Sequence, residues 1–170
     1  MTVESMSDVN PAPTSDFPEQ LLRAWQGEVY GIEVYGALAE SRTNPAESMK
    51  LRELLALEEY MEQQLMGVLE RLSIETELGD TMQAADTDIK DQRSATWVAL
   101  MTWLCHDAEV ALGDYQPLRA LSTGVDEVTQ QVVTQLIDHE RALIAFCVKE
   151  LAGEDDSLAD VRALLPREPL

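Results

Sequence analysis

Residues 54–65 read LLALEEYMEQQL and lie in the middle of a longer apolar pattern with helical spacing. At intervals of three and four, one row of Leu, Met and Val contains Glu58. The neighbouring row contains Glu59 and Glu62. Charged side chains are rarely buried unless they are paired or bind a metal ion. The stretch therefore predicts a helix that carries carboxylates on, or directly beside, a buried surface.

Composition limits the fold and the classes of function. A chain of 170 residues, rich in Ala, Leu, Glu and Gln, predicts a single all-α domain. Its formal net charge of −20 excludes nucleic acids as partners and disfavours anionic membrane surfaces. No apolar run reaches the roughly 18 residues of a membrane span, and the N-terminus lacks the pattern of a signal peptide. We expect a cytoplasmic protein in which Cys105 and Cys147 are reduced core residues.

Four long helices are predicted, and we label them A to D. They run from about Asp16 to Ser41, Pro45 to Glu75, Gln92 to Leu121 and Val125 to Ala152. The turns between A and B and between C and D are short, so each pair is expected to pack antiparallel. The pattern predicts an antiparallel four-helix bundle.

Local signals define the helix ends and the connections. Asn44 is expected to cap helix B, Gly153 to end helix D, and Pro117 to kink helix C or end it one turn early. The segment Ile74–Lys90 resembles an extended connector that crosses the length of the bundle between B and C. If part of it is helical, an up-down-up-down bundle with short loops is the alternative.

Three regions are predicted along the chain. Residues 1–15 are small, polar and rich in Pro, which indicates a disordered arm. Residues 16–153 form the bundle. Residues 154–170 form a polar tail whose pattern is compatible with a short helix at Leu158–Leu164.

Two pairs of acidic residues have the same spacing, because 31 positions separate Glu28 from Glu59 and also Glu109 from Glu140. Glu28 and Glu140 each stand in an otherwise apolar row. The repeat predicts two helical hairpins related by a pseudo-twofold axis, with one carboxylate per helix at the same height. The alternative is coincidence among 32 acidic residues.

On these residues, the chain over about 18–152 resembles the ferritin-like superfamily, in particular rubrerythrin-type diiron carboxylate proteins. The resemblance implies a bundle with a B–C crossover that holds two iron ions. It implies Glu28 and Glu109 as terminal ligands and Glu59 and Glu140 as bridging ligands. The chain departs from the family at the two histidine positions, which are Glu62 and Leu143. It contains no Glu-x-x-His and no Cys-x-x-Cys.

Other polar residues near these positions are weighed individually. His139, next to Glu140, is either a flanking ligand, a group that orients Glu140, or a hydrogen-bonded residue without a metal role. His106 is expected to point away from the cluster. Glu58 is expected at the edge of the bundle with its carboxylate in water. Glu59 and Glu62 are either ligands or a solvated acidic pair.

Two functions follow from this pattern. The first is a metal-binding bundle in which Glu28, Glu59, Glu62, Glu109, His139 and Glu140 hold iron for reactions with oxygen or peroxide. The second is a metal-free ferritin-like bundle that serves as a dimerisation or interaction module. In both cases we expect a homodimer, the commonest state of soluble oligomers. Metal ions are partners only in the first.

Overall fold

The computed structural model describes residues 16–166 and confirms the all-α class. Its six helices are α1 Asp16–Ser41, α2 Pro45–Arg71, α3 Thr81–Gln92, α4 Trp97–Leu121, α5 Glu127–Ala152 and α6 Ala159–Leu164. Between residues 16 and 166 there is no β-strand. The predicted disordered arm, residues 1–15, lies outside the described residues, as do residues 167–170.

Side-chain caps determine where several helices begin. The side chain of Asn44 accepts a hydrogen bond from the amide of Ala46 at 3.0 Å, and Pro45 occupies the first turn of α2. Asp126 caps α5 by accepting from the amide of Thr129 at 3.0 Å. At the other end of α5, Gly153 takes the left-handed conformation, with φ of 73°.

Some predicted boundaries are corrected. Helix α2 ends at Arg71, four residues early, and α4 begins at Trp97, because Thr96 caps it by accepting from the amide of Ala99 at 3.2 Å. Of the two effects expected of Pro117, a kink or an early end of the helix, the early end does not occur. The helix continues to Leu121, since Leu118 is fully buried and fixes the last turn against the core.

The connector between α2 and α4 is partly helical and lies along α1. Helix α3 buries Ala85 and Ile89, and Tyr30 of α1 donates a hydrogen bond to Asp88 at 2.6 Å. Further along, Arg42 donates to the carbonyl of Ala95 at 2.8 Å. The connector thus follows α1 from its middle to its C-terminal end.

The apolar core consists of two clusters. The first contains the C-terminal half of α1, the N-terminal half of α2, the first half of α4 and the second half of α5. The second contains the opposite halves of the same four helices. Hence α1 runs antiparallel to α2 and to α4, and α5 antiparallel to α2 and α4. The residues discussed below lie between the two clusters.

The C-terminal tail returns to the core. Leu158 and Val161 are buried in the first cluster, while Lys149 pairs with Asp160 and Arg162 with Glu53. None of the helices in residues 16–166 combines the length and hydropathy that a membrane span requires.

Candidate metal centre

Four ionisable side chains are buried between the two apolar clusters. Glu28 comes from α1, Glu58 from α2, and His139 and Glu140 from α5. Their exposed fractions are 1%, 3%, 0% and 5%. Burial of unpaired charge costs several kcal/mol or more, so these groups must neutralise one another, hold protons or bind a cation.

The imidazole of His139 lies between the carboxyl groups. Its Nε2 is 3.0 Å from Oε1 of Glu58, and its Nδ1 is 3.4 Å from Oε2 of Glu28. Oε1 of Glu140 is 3.9 Å from the same Nδ1. A single histidine therefore contacts carboxylates on both of its ring nitrogens.

Gly31 of α1 makes room for the side chain of Glu58. A Cβ atom at Gly31 would lie 2.3 Å from Oε2 and 2.6 Å from Cδ of Glu58. Both distances are far below van der Waals contact. The absence of a side chain at this position is what allows the Glu58 carboxyl to rest against α1.

Two polar atoms of the cluster lack hydrogen-bond partners. They are Oε2 of Glu28 and Nδ1 of His139, which face each other at 3.4 Å. When Nε2–H of His139 donates to Glu58, Nδ1 carries a lone pair and cannot donate to Glu28. Two opposed acceptors repel each other unless a proton or a metal cation lies between them.

The electrostatics of the cluster show an excess of negative charge. Burial raises the pKa of Glu58 to about 8, although the nearby His139 opposes this change. Burial likewise raises the pKa of Glu140 well above its usual value. Burial alone would lower the pKa of His139, but the carboxylates of Glu28 and Glu58 outweigh it and raise that pKa. All three pKa values are raised, so the cluster favours the uptake of positive charge, either as protons or as a bound cation.

The donor atoms are compatible with a metal ion. Glu28, Glu58 and His139 each offer one ligand atom, and these atoms lie within 4.8 Å of one another. Carboxylate oxygen with imidazole nitrogen is a donor set that suits zinc, manganese and iron. Histidine ligands usually donate their second N–H to a carboxylate, which His139 can do towards Glu58 or towards Glu28.

The structure brings only part of the predicted ligand set together. Glu28, His139 and Glu140 belong to the cluster. Glu62 is half-buried and instead accepts a hydrogen bond from the indole of Trp25 at 2.7 Å. Glu59 is exposed, so of the two alternatives stated for it the structure places it on the solvated side of α2.

Glu109 is also exposed, which corrects the second interior position predicted from the 31-residue repeat. It follows Ala108, and Ala108 is the residue of that turn which α4 buries. Neighbouring residues on an α-helix point about 100° apart, so one position decides between core and solvent. The four acids 28, 59, 109 and 140 therefore do not meet in one pocket.

Glu58 is the site residue that sequence reasoning missed. It was expected at the edge of the bundle with its carboxylate in water, whereas it is buried and hydrogen-bonded to His139. The signal was present, because Leu54, Met61 and Leu65 in the same row are all buried. His106 is exposed on α4, in agreement with the expectation that it points away.

Comparisons of the chain with protein-family models, with curated proteins and with solved structures gave no significant match. The argument for function therefore depends on the geometry of the cluster.

Proposed function

We propose that the protein binds one divalent transition-metal ion, with iron as the leading candidate, through Glu28, Nδ1 of His139 and the adjoining carboxyl of Glu140, while Glu58 holds the imidazole ring. The observation that carries the proposal is the pair of buried atoms without a hydrogen-bond partner, Oε2 of Glu28 and Nδ1 of His139, which lie 3.4 Å apart. A cation between them would satisfy both atoms. It would also neutralise a region that holds three carboxyl groups and one imidazole.

The hydrogen bonding of His139 favours one arrangement of ligands. Nε2 lies 3.0 Å from Glu58, and in the tautomer that donates Nε2–H to this carboxyl, Nδ1 is the free ligand atom next to Glu28 and Glu140. Glu58 then orients the ring and raises its basicity from the side away from the metal. The resemblance implied a second metal ion, which has less support because two of its expected ligands, Glu59 and Glu109, are exposed.

The same proposal includes a ferritin-like four-helix bundle with a crossover between α2 and α4. The support is that α2 and α4 run in the same direction and that the connector lies along α1 from the middle of that helix to its C-terminal end. The ligand pattern differs from Glu-x-x-His, since the one buried histidine directly precedes Glu140 on α5.

A bound iron ion would supply one-electron and oxygen or peroxide chemistry. The protein's own residues set the conditions for it. Glu58 holds the ring of His139 by a hydrogen bond, and the two apolar clusters enclose the site from both ends of the helices.

Metal analysis of the protein produced in iron-containing medium tests the proposal. We expect close to one equivalent of metal in the unmodified protein and a loss of most of it in Glu28→Gln, which keeps the size of the side chain. Glu59→Gln is the matched control, since Glu59 is exposed on the neighbouring helix, and it should retain the metal. Circular dichroism confirms that both variants are folded. Metal-free native protein, or equal loss in both variants, would refute the proposal.

A metal-free bundle that acts as a dimerisation or interaction module is the second candidate. It is favoured by the direct contact of His139 with Glu58 and Glu28, because protons can also neutralise such a cluster. Glu140→Leu separates the two proposals. In a metal-free module this change removes a buried carboxyl and should leave stability equal or higher, whereas in a metal centre it should lower the metal content.

A further inference from the structure

A cavity of about 500 Å³ lies between α1 and α4. Its floor includes the carboxyl groups of Glu58 and Glu140, so it adjoins the candidate metal centre. The volume is within the range of sites for small organic molecules and is much larger than a metal ion with its waters requires.

Small residues on both helices keep the cavity open. Gly27 and Gly31 line it on α1, and Ala108 and Ala111 line it on α4. At Gly27, a Cβ atom would lie 2.2 Å from the hydroxyl oxygen of Tyr115, so that wall is already occupied by a tyrosine. Helix α1 therefore cannot carry larger side chains here without displacing a neighbour.

The charges around the cavity select the sign of a ligand. Asp107 and Asp114 of α4 line it together with the two buried glutamates. Among the described lining residues, Arg23 is the one basic side chain, and it pairs with Glu19 at 2.5 Å on the surface. An organic anion would meet carboxylates on most sides, whereas a cation would be attracted.

Two further features of the lining match an ammonium group. The side chain of Glu140 is 6% exposed and, within residues 16–166, receives no hydrogen bond, because its contact with His139 is 3.9 Å. Tyr30, Tyr35 and Tyr115 also line the cavity, and the faces of tyrosine rings attract cations. An ammonium head would donate hydrogen bonds to Glu140 and place a positive charge beside the tyrosine rings.

We propose that this cavity binds a small organic ammonium ion, whose charged head lies at Glu140 and whose apolar part lies between Gly31, Ala108 and Ala111. The site goes beyond the proposed metal centre. It shares Glu58 and Glu140 with that centre but does not require a bound metal.

Three probes of equal size and different charge test the site: benzylamine, benzyl alcohol and benzoate. Each is titrated into the ¹⁵N-labelled full chain, with and without chelator, and followed by amide chemical shifts. We expect saturable binding of benzylamine, at least about tenfold tighter than binding of benzoate, which corresponds to about 1.4 kcal/mol. Equal or tighter binding of benzoate, or no saturable shift with benzylamine, would overturn the proposal.

A cavity-filling variant locates the binding. Ala111→Phe places a ring inside the cavity, and Ala120→Phe places the same ring on the exposed side of α4 as a control. Ala111→Phe should abolish benzylamine binding and Ala120→Phe should preserve it. Unchanged affinity in Ala111→Phe would refute the location. Metal content is measured on the same samples, so a protein that binds benzylamine but no metal contradicts only the metal proposal.

Discussion

At the scale of single residues, the buried ionisable cluster depends on a few close contacts between side chains. Glu58 enters the interior because Gly31 has no side chain, and His139 is held because Glu58 reaches its Nε2 at 3.0 Å. The residues of each contact are far apart in the sequence. The contact between Gly31 and Glu58 joins α1 to α2, and the contact between Glu58 and His139 joins α2 to α5.

Gly31→Ala should displace Glu58 and weaken the cluster. Alanine stabilises a helix interior by about 1 kcal/mol relative to glycine. Here the new Cβ would overlap the Glu58 carboxyl, and forced repacking of a buried site costs about 1–3 kcal/mol. We expect lower stability in urea unfolding and reduced metal content.

Gly67→Ala on α2 is the control for this variant, because a Cβ there meets no atom within 4 Å. It should gain most of the helix-propensity benefit and keep its metal. If Gly31→Ala proves as stable as Gly67→Ala, the close contact with Glu58 is not a constraint.

The raised pKa of Glu58 predicts how stability depends on pH in the absence of metal. Between the ordinary carboxyl pKa of 4.5 and about 8, the folded protein holds a proton that the unfolded chain releases. Stability from this group is therefore complete at low pH and is lost as pH rises through that interval. The raised pKa of His139 acts in the same direction.

We expect chelator-treated protein to melt at a lower temperature at alkaline pH than at mildly acidic pH. Glu58→Gln cannot titrate at this position, so its melting temperature should fall less over the same interval. Differential scanning calorimetry at several pH values gives both curves. Identical slopes for the two proteins would contradict the assignment to Glu58.

At the scale of helices, sequence patterns gave α1 at its observed bounds and the starts or ends of α2, α4 and α5. Helix α3 was considered only as an alternative to an extended connector, because it buries only Ala85 and Ile89 and thus has little apolar periodicity. Glu28 and Glu140 were found because their rows are apolar. Glu58 was missed because Glu59 beside it fitted the 31-residue repeat.

The 31-residue repeat did not predict the buried positions correctly, because helix packing decides which residues face the core. Helix α4 buries Ala108 at the corresponding turn and turns Glu109 to solvent. Helix α5 instead buries two consecutive residues, His139 and Glu140. Which residue of an adjacent pair faces the core depends on how four helices rotate against one another, and that rotation is not encoded in spacing along one helix.

Pro117→Ala should stabilise α4. Proline lacks the amide hydrogen and costs about 3 kcal/mol in a helix interior, yet α4 continues through it to Leu121. Alanine restores a backbone donor at an exposed position, so we expect a net gain of about 1 kcal/mol or more in urea unfolding. Lower stability of the variant would show that the proline ring is required for the conformation of this turn.

At the scale of the whole molecule, the buried ionisable residues form a polar layer between the two apolar clusters, and every long helix crosses this layer. Three of the four supply its ionisable groups: α1, α2 and α5. Helix α4 supplies a wall of the adjoining cavity instead. The apolar clusters therefore pack the helices against one another, while the polar layer between them holds the ionisable side chains.

Removal of residues 154–170 should destabilise the molecule, although sequence patterns indicated a polar tail outside the bundle. Val161 is fully buried and Leu158 is 4% exposed, both in the first apolar cluster. Burial of two such side chains is worth about 3–6 kcal/mol. Thermal denaturation of a chain ending at Gly153 measures the loss, and an unchanged melting temperature would contradict it.

The return of the tail to the core also affects how the protein can be handled. Fusion partners, affinity tags or surface attachment at the C-terminus would pull on α6, whose ion pairs with Lys149 and Glu53 bridge two helices. A label attached close to residue 164 would compete with the packing of α6 on the core and would expose the apolar surface that Leu158 and Val161 cover. A tether at the C-terminus therefore needs a spacer long enough to leave α6 in contact with the core.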